Sequence, residues 1–154
     1  MTELTPDEIG IIALSLRVAL VGVIGSLPLA ILVAYVLARL SFPGKTLFDT
    51  LIHLPLVLPP VVVGFALLVL FGKRGPIGSF LYEYFGIVFS FRWTGAALAA
   101  AVMGFPLMVR AIRLTMESID DRTEQAAATL GASPLWVFLT VTLPLSLPGI
   151  VAGA

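Results

Sequence analysis

The sequence predicts an all-α integral membrane protein, a polytopic helical bundle, on three observations. Hydrophobic residues make up 59% of the 154-residue chain and charged residues only 12%, too little polar surface to cover a water-soluble globule of this size. Four stretches are apolar over lengths near the roughly 20 helical residues that cross a hydrocarbon layer of about 30 Å. Charged side chains collect at the ends of those stretches, as Arg17, Arg110 and Arg113 do.

Thr5-Pro6-Asp7-Glu8 reads as a helix start, with Thr5 as N-cap, proline at the first helical position and Glu8 three residues after the cap. Helix is predicted from there to about Leu40. Within it residues 18–37 are uncharged and form the first span, with Arg17 snorkelling at one rim, a kink expected at Pro28, and Ser41-Phe42-Pro43-Gly44 as the stop. The opening residues are acidic where a cleavable leader carries positive charge, so this stretch is expected to stay as an anchor.

The second span, 48–71, contains Pro55, Pro59 and Pro60 in its first half, which cannot all sit in one regular helix. A bend or break is predicted there. Irregular backbone at membrane depth is tolerated only against protein or a water-lined cavity, which makes Leu54 to Gly64 the candidate translocation path. A merely kinked, lipid-facing helix is the alternative. Ile77 to Arg92 mixes Phe80, Tyr82, Tyr84 and Phe85 with Glu83 and suits the membrane surface better than a crossing. The third span covers 93–109, anchored by Trp93, and its alanines and Gly104 permit close helix packing. The fourth, 135–154, becomes apolar again and reaches Ala154 without a polar flank. It reads as part of a bundle truncated at the C-terminus, since four spans make a poor pore alone.

Arg39, Lys45, Arg110, Arg113 and Arg122 fall on one side of this arrangement and Lys73, Arg74 and Arg92 on the other. The positive-inside rule then places the first group in the cytoplasm and the N-terminus outside. Nine basic residues balance nine acidic ones, which excludes the concentrated basic surface that nucleic acid requires. No cysteine is present, so disulfides and thiolate chemistry are excluded. His53 stands alone and reads as a packing or interfacial residue. With no nucleotide loop, no metal cluster and no nucleophile beside a base, catalytic and metal-binding residues are both expected to be none.

The most polar stretch of the second half is the loop 114–134, between the third and fourth spans. Asp121 with Glu124 resembles a capping box, Gln125 to Leu130 is alanine-rich, Gly131 suits a left-handed helix end, and Ser133-Pro134 starts the next helix. Asp120, Asp121 and Glu124 read as caps and solvated charges. A helix of about ten residues is marginal in water by itself. It is expected to dock, either on its own protein as a connector or in a groove of a partner that approaches the small Ala126, Ala127 and Ala128 closely.

The run Glu-Gln-Ala-Ala-Ala-Thr-Leu-Gly-Ala-Ser from Glu124, with Val141-Thr142-Leu143-Pro144, resembles the EAA signature of permease subunits of bacterial ABC importers. That pattern is Glu-Ala-Ala, three residues, Gly, nine residues, Ile, one residue, Leu-Pro. Anchored on Gly131, it puts Gln125, Ala126 and Ala127 in the triplet, Val141 at the isoleucine place and Leu143-Pro144 in register. Glutamine stands for glutamate, with Glu124 adjacent. Within the family, Phe42 to Lys45, Leu54 to Gly64 and Phe105 to Arg113 look most like molybdate permeases and more weakly like sulfate permeases.

The resemblance implies a helical bundle of the ABC importer permease type in the inner, cytoplasmic membrane, surrounded by lipid and paired with a second copy as a homodimer. It implies that Glu124, Gln125, Ala126, Ala127, Gly131, Leu143 and Pro144 belong to a coupling helix and its flank, seated on an ATP-hydrolysing subunit. The chain itself then binds no cofactor; ATP and Mg belong to that partner. A solute-binding protein delivers the oxyanion (molybdate, with sulfate and tungstate as alternatives), so the almost wholly apolar path need only open and shut. Pro55, Leu58, Pro59, Pro60, Val62 and Gly64 are its candidate path or gate residues. An ion-gradient-driven secondary transporter also uses broken helices, but it needs an embedded ionisable residue, and 18–37 and 61–71 contain none. A membrane anchor or assembly factor without cargo is the third reading.

Overall fold

Thr5 opens the first helix through a reciprocal pair of contacts. Its N–H and hydroxyl donate to Glu8 Oε2 at 2.7 and 2.9 Å, while the Glu8 N–H donates to Thr5 Oγ1 at 3.4 Å, the capping box expected from the sequence. The computed structural model describes residues 5–154, apart from the side chain of Asp121; the first residues of the acidic opening, 1–4, lie outside it. Helix α1, Pro6–Arg39, runs continuously through Pro28. It is followed by α2 Lys45–Val57, α3 Pro60–Phe71, α4 Pro76–Phe85, α5 Trp93–Ser118, α6 Asp121–Thr129 and α7 Pro134–Val137. A π-helical turn, Phe138–Thr142, then leads to α8 Leu143–Leu145 and α9 Leu147–Gly153. Every regular element among the described residues is helical, as the composition and periodicity predict.

One set of large side chains of α1 points outward: Ile9, Ile12, Leu16, Leu20, Ile24, Leu29 and Leu32 are each between 51% and 65% exposed. Such a surface is stable against lipid and not against water. α1 and α5 are each long and apolar enough to cross a membrane, and the bent pairs α2 with α3 and α7–α8 with α9 bring the total to four if each counts as one span.

The chain divides into two compact units. One comprises residues up to Ser26 with His53–Gly104. Here α1 and α5 approach closely at Gly22, where an added Cβ would lie 3.1 Å from the Ala97 carbonyl oxygen. The close contact thus falls on Gly22 and the α5 alanines. Gly104, expected to serve it, has nothing within 4 Å of such an atom. The Arg17 guanidinium stacks over Trp93 at 4.1 Å and Lys73 Nζ over Tyr82 at 4.6 Å, pairs of cation and amphipathic ring that suit a headgroup layer.

In the same unit the proline-rich stretch breaks as predicted. α2 ends at Val57, Pro59 is extended (φ −55°, ψ 137°), and α3 restarts with Pro60 at its first turn. The cause is local: Pro59 and Pro60 have no N–H, so the carbonyls of Pro55 and Leu56 lose their i+4 donors.

The other unit comprises Leu27–Ile52 and Phe105–Ala154. Its core is built from one face each of α1 (Ala30, Val33, Ala34, Leu37) and α5 (Met108, Val109, Ile112, Met116), at helical spacing and none more than 7% exposed. α5 runs past the expected 93–109 stretch to Ser118. The extension carries the ion pairs of Arg113 with Glu117 (2.7 Å, one turn on) and with Asp49 of α2 (3.1 Å), so polar residues continue the helix where apolar ones stop. α9 lies hard against α5 at Gly149, where a Cβ would collide with Thr115 and the Ala111 carbonyl.

Candidate functional site

Helix α6 is short and its ends are fixed chemically. Asp120 is the N-cap, its carboxylate accepting from the Arg122 N–H at 2.9 Å. The cap therefore falls one residue before the expected Asp121, which already lies in the helix. At the other end the Gly131 N–H donates to the Ala128 carbonyl (3.0 Å) and the Ala132 N–H to the Ala127 carbonyl (3.3 Å), with Gly131 at φ +85°. This is the Schellman arrangement, and it needs the left-handed residue that glycine supplies. Ser133 then caps α7 through the Trp136 N–H at 3.3 Å, with Pro134 in the first turn. Both the Gly131 stop and the Ser133-Pro134 start are as the sequence predicts. Replacing Asp120 by alanine is expected to lower the protein's stability by about 1 kcal/mol, measured as a fall in thermal midpoint in detergent of no more than a few degrees.

Glu124 does not behave as a solvated charge or as the second half of a capping box. Its side chain is 19% exposed, and Oε1 accepts from Arg39 Nη2 at 2.8 Å and from Thr142 Oγ1 at 2.7 Å. Arg39, 14% exposed, also donates to the Ile119 carbonyl at 3.4 Å. One carboxylate oxygen thus joins the end of α1, the α6 helix and the π-helical turn. Neither partner was among the predicted site residues. Two signals pointed to them: Arg39 is a charge ending an apolar helix on the side expected to carry the loop 114–134, and Thr142 is a hydroxyl in an apolar Val-Thr-Leu-Pro segment that needs an acceptor once buried.

The remaining predicted residues separate by face. Ala127, one turn from Glu124, is half-buried, whereas Gln125, Ala126 and Gly131 are exposed. Leu130, Leu135 and Trp136 stand out at 89%, 68% and 61% exposure. Leu130 and Trp136, with Ala127, Gly131, Ala132 and Ser133, line an open recess of about 490 Å³. Leu143 is half-buried and Pro144 exposed. Pro144 has no N–H, and just before it the helix widens: the Leu143 N–H reaches back to the Phe138 carbonyl, five residues away.

The path residues lie in the other unit. Pro55 and Leu58 are half-buried, while Pro59, Pro60, Val62 and Gly64 are exposed. Val57 and Val61, on either side of the break, are 80% and 81% exposed, and only Val63 of this stretch is buried. Gly64 also borders a small apolar cavity of about 190 Å³ lined by Leu68, Phe71, Phe89 and Phe91.

The described residues thus form a helical chain of the membrane-spanning class, with up to four spans and a short, doubly capped helix between the third and fourth apolar segments. The sequence profile of the family described as binding-protein-dependent transport system inner membrane component matches residues 26–154, and the chain belongs to that family. It is similar to the molybdenum transport system permease protein ModB of Escherichia coli, 59% identical over 150 residues, covering 97% of this chain and 66% of that protein. The ModB protein of Haemophilus influenzae is 60% identical over 146 residues, covering 95% and 64%. The sulfate transport system permease protein CysT of Salmonella typhimurium is more distant, 37% identical over 148 residues, covering 96% and 53%. The chain spans about two thirds of the length of the molybdenum permeases it matches.

Proposed function

We propose that this chain is the transmembrane permease part of an ATP-binding-cassette importer that passes an oxyanion, molybdate, across the inner membrane. The identity of 59% to a molybdenum permease over nearly the whole chain carries the cargo reading, against 37% to a sulfate permease. A solute-binding protein hands over the anion, and α6 with its exposed Leu130 and Trp136 docks in a groove of an ATP-hydrolysing subunit, which supplies ATP and Mg chemistry. Five cations expected in the cytoplasm (Arg39, Lys45, Arg110, Arg113, Arg122) belong to the unit that contains α6, and the three expected outside belong to the other. That grouping supports an α6 facing the cytoplasm.

The outward-facing break between α2 and α3 supports a path formed between two copies. Among the described residues Val57 and Val61 are left almost uncovered and Val62 about half covered, and an apolar constriction opens or shuts without binding its cargo. Reconstitution of the full-length permease with its ATPase and binding protein tests this reading: ATP-dependent uptake of molybdate in preference to sulfate is expected, and uptake independent of ATP would remove it. At the constriction, Val62→Asp is expected to produce uncoupled leakage or to lower uptake about tenfold or more, since a charge at membrane depth costs about 2.5–3.5 kcal/mol. Unchanged transport would remove the gate.

A further inference from the structure

The carboxylate of Glu124 is turned toward its own protein. Oε1 takes a charge-assisted bond from Arg39 at 2.8 Å and a second from Thr142 at 2.7 Å, the short range of strong bonds to an ionised acceptor. Thr142 is 1% exposed, so its hydroxyl has little access to solvent to replace this acceptor. The Arg39–Glu124 pair is mostly shielded from solvent and is screened by salt far less than a surface pair. Thr142 is also the last residue of the π-helical turn, whose extra backbone width precedes Pro144. A π turn converts to α-helix by shifting its hydrogen bonds one residue, which makes it a natural place for a helix to change direction.

We propose that Glu124 is a positioning residue that latches the coupling helix to the end of α1 and to the π turn, so that displacement of α6 by the ATPase is delivered to both. The proposal rests on the importer reading above. It assigns to Glu124 an internal task, distinct from the outward contacts of Gln125, Ala126, Leu130 and Trp136. Removing the carboxylate leaves a half-buried guanidinium and a buried hydroxyl without their shared acceptor, so α6 keeps its outer face for the partner but loses its rigid connection to the membrane helices.

The test uses the full-length permease with its ATPase and binding protein in liposomes, reading ATPase copurification, ATP hydrolysis and radiolabelled molybdate uptake. Glu124→Gln is expected to retain the ATPase on purification and to lower uptake per ATP hydrolysed about tenfold, within the usual range of coupling between sites. Arg39→Met is expected to do the same, Arg39→Lys to recover most of the loss, and the double variant Arg39→Met with Glu124→Gln to be no worse than either alone. Thr142→Val, the mildest change, is expected to lower the same ratio by a smaller factor. Release of the ATPase by Glu124→Gln, an unchanged uptake-to-ATP ratio, or additive losses in the double variant would each overturn the latch. If the wild-type complex transports no oxyanion, the importer reading fails by itself. The same cycle read as thermal unfolding of the purified permease then decides the latch separately: non-additive shifts keep the joint and additive ones remove it.

Discussion

Gly131→Val is expected to abolish most ATP-driven uptake while leaving the protein inserted in the membrane. The residue sits at φ +85°, a region that a β-branched side chain essentially never occupies. The left-handed conformation costs an ordinary L-residue about 1–2 kcal/mol, and valine more. To escape it the backbone must give up the two bonds that close α6, Gly131 N–H to Ala128 and Ala132 N–H to Ala127. α6 has only nine residues, so losing its last turn undoes much of the helix. Leu130 and Trp136, which border the recess around Gly131, then lose their fixed relation. Copurification of the ATPase is expected to fall by about tenfold or more, roughly what 1.4 kcal/mol or above produces. Gly131→Asn, which tolerates the left-handed region, is expected to retain most of it. A Gly131→Val protein that holds its ATPase as wild type does would show that this helix end plays no part in docking.

Elements governed by local chemistry were legible in the sequence. Thr5 and Glu8 announced the start of α1, the three prolines 55, 59 and 60 announced the break between α2 and α3, and Gly131 with Ser133-Pro134 marked the end of α6 and the start of α7. Each depends on backbone geometry or on groups within four residues, which sequence displays directly. What sequence did not display was set by neighbours distant along the chain. Glu124 looked like a solvated charge because its partners, Arg39 and Thr142, are 85 and 18 residues away. Gly104 looked like the close-packing residue of α5, yet the approach is made from the opposite side by Gly22, since a glycine permits contact without choosing its partner. α5 outran its apolar stretch because Asp49, on another helix, helps hold Arg113. The π turn at Phe138–Thr142 was not foreseen either: Pro144 predicts a disturbed helix but not whether it bends, breaks or widens.

The same distinction between a glycine in open space and one against a neighbour predicts a large stability difference within the membrane helices. Gly149→Val is expected to destabilise the permease by about 3 kcal/mol or more, the upper part of the range for overfilled cores. The atoms that meet its Cβ are the Thr115 side chain and the Ala111 backbone oxygen. Thr115 cannot rotate away without loss, because its hydroxyl donates to that same Ala111 carbonyl at 3.1 Å, and helix backbone does not yield locally. α9 must therefore back away from α5, exposing Ile150, now 8% accessible. α9 continues from the π turn through a 63° bend, so its displacement also pulls on Thr142 and through it on Glu124. Thermal unfolding in detergent is expected to show a lowered midpoint for Gly149→Val and almost none for Gly104→Val, whose Cβ meets nothing within 4 Å. Gly153→Ala, with contacts of 3.1 to 3.2 Å to Met108 and Ala111, is expected to fall between them. Equal shifts at positions 149 and 104 would mean that intrinsic helix propensity, not the packing of α9 on α5, governs these sites.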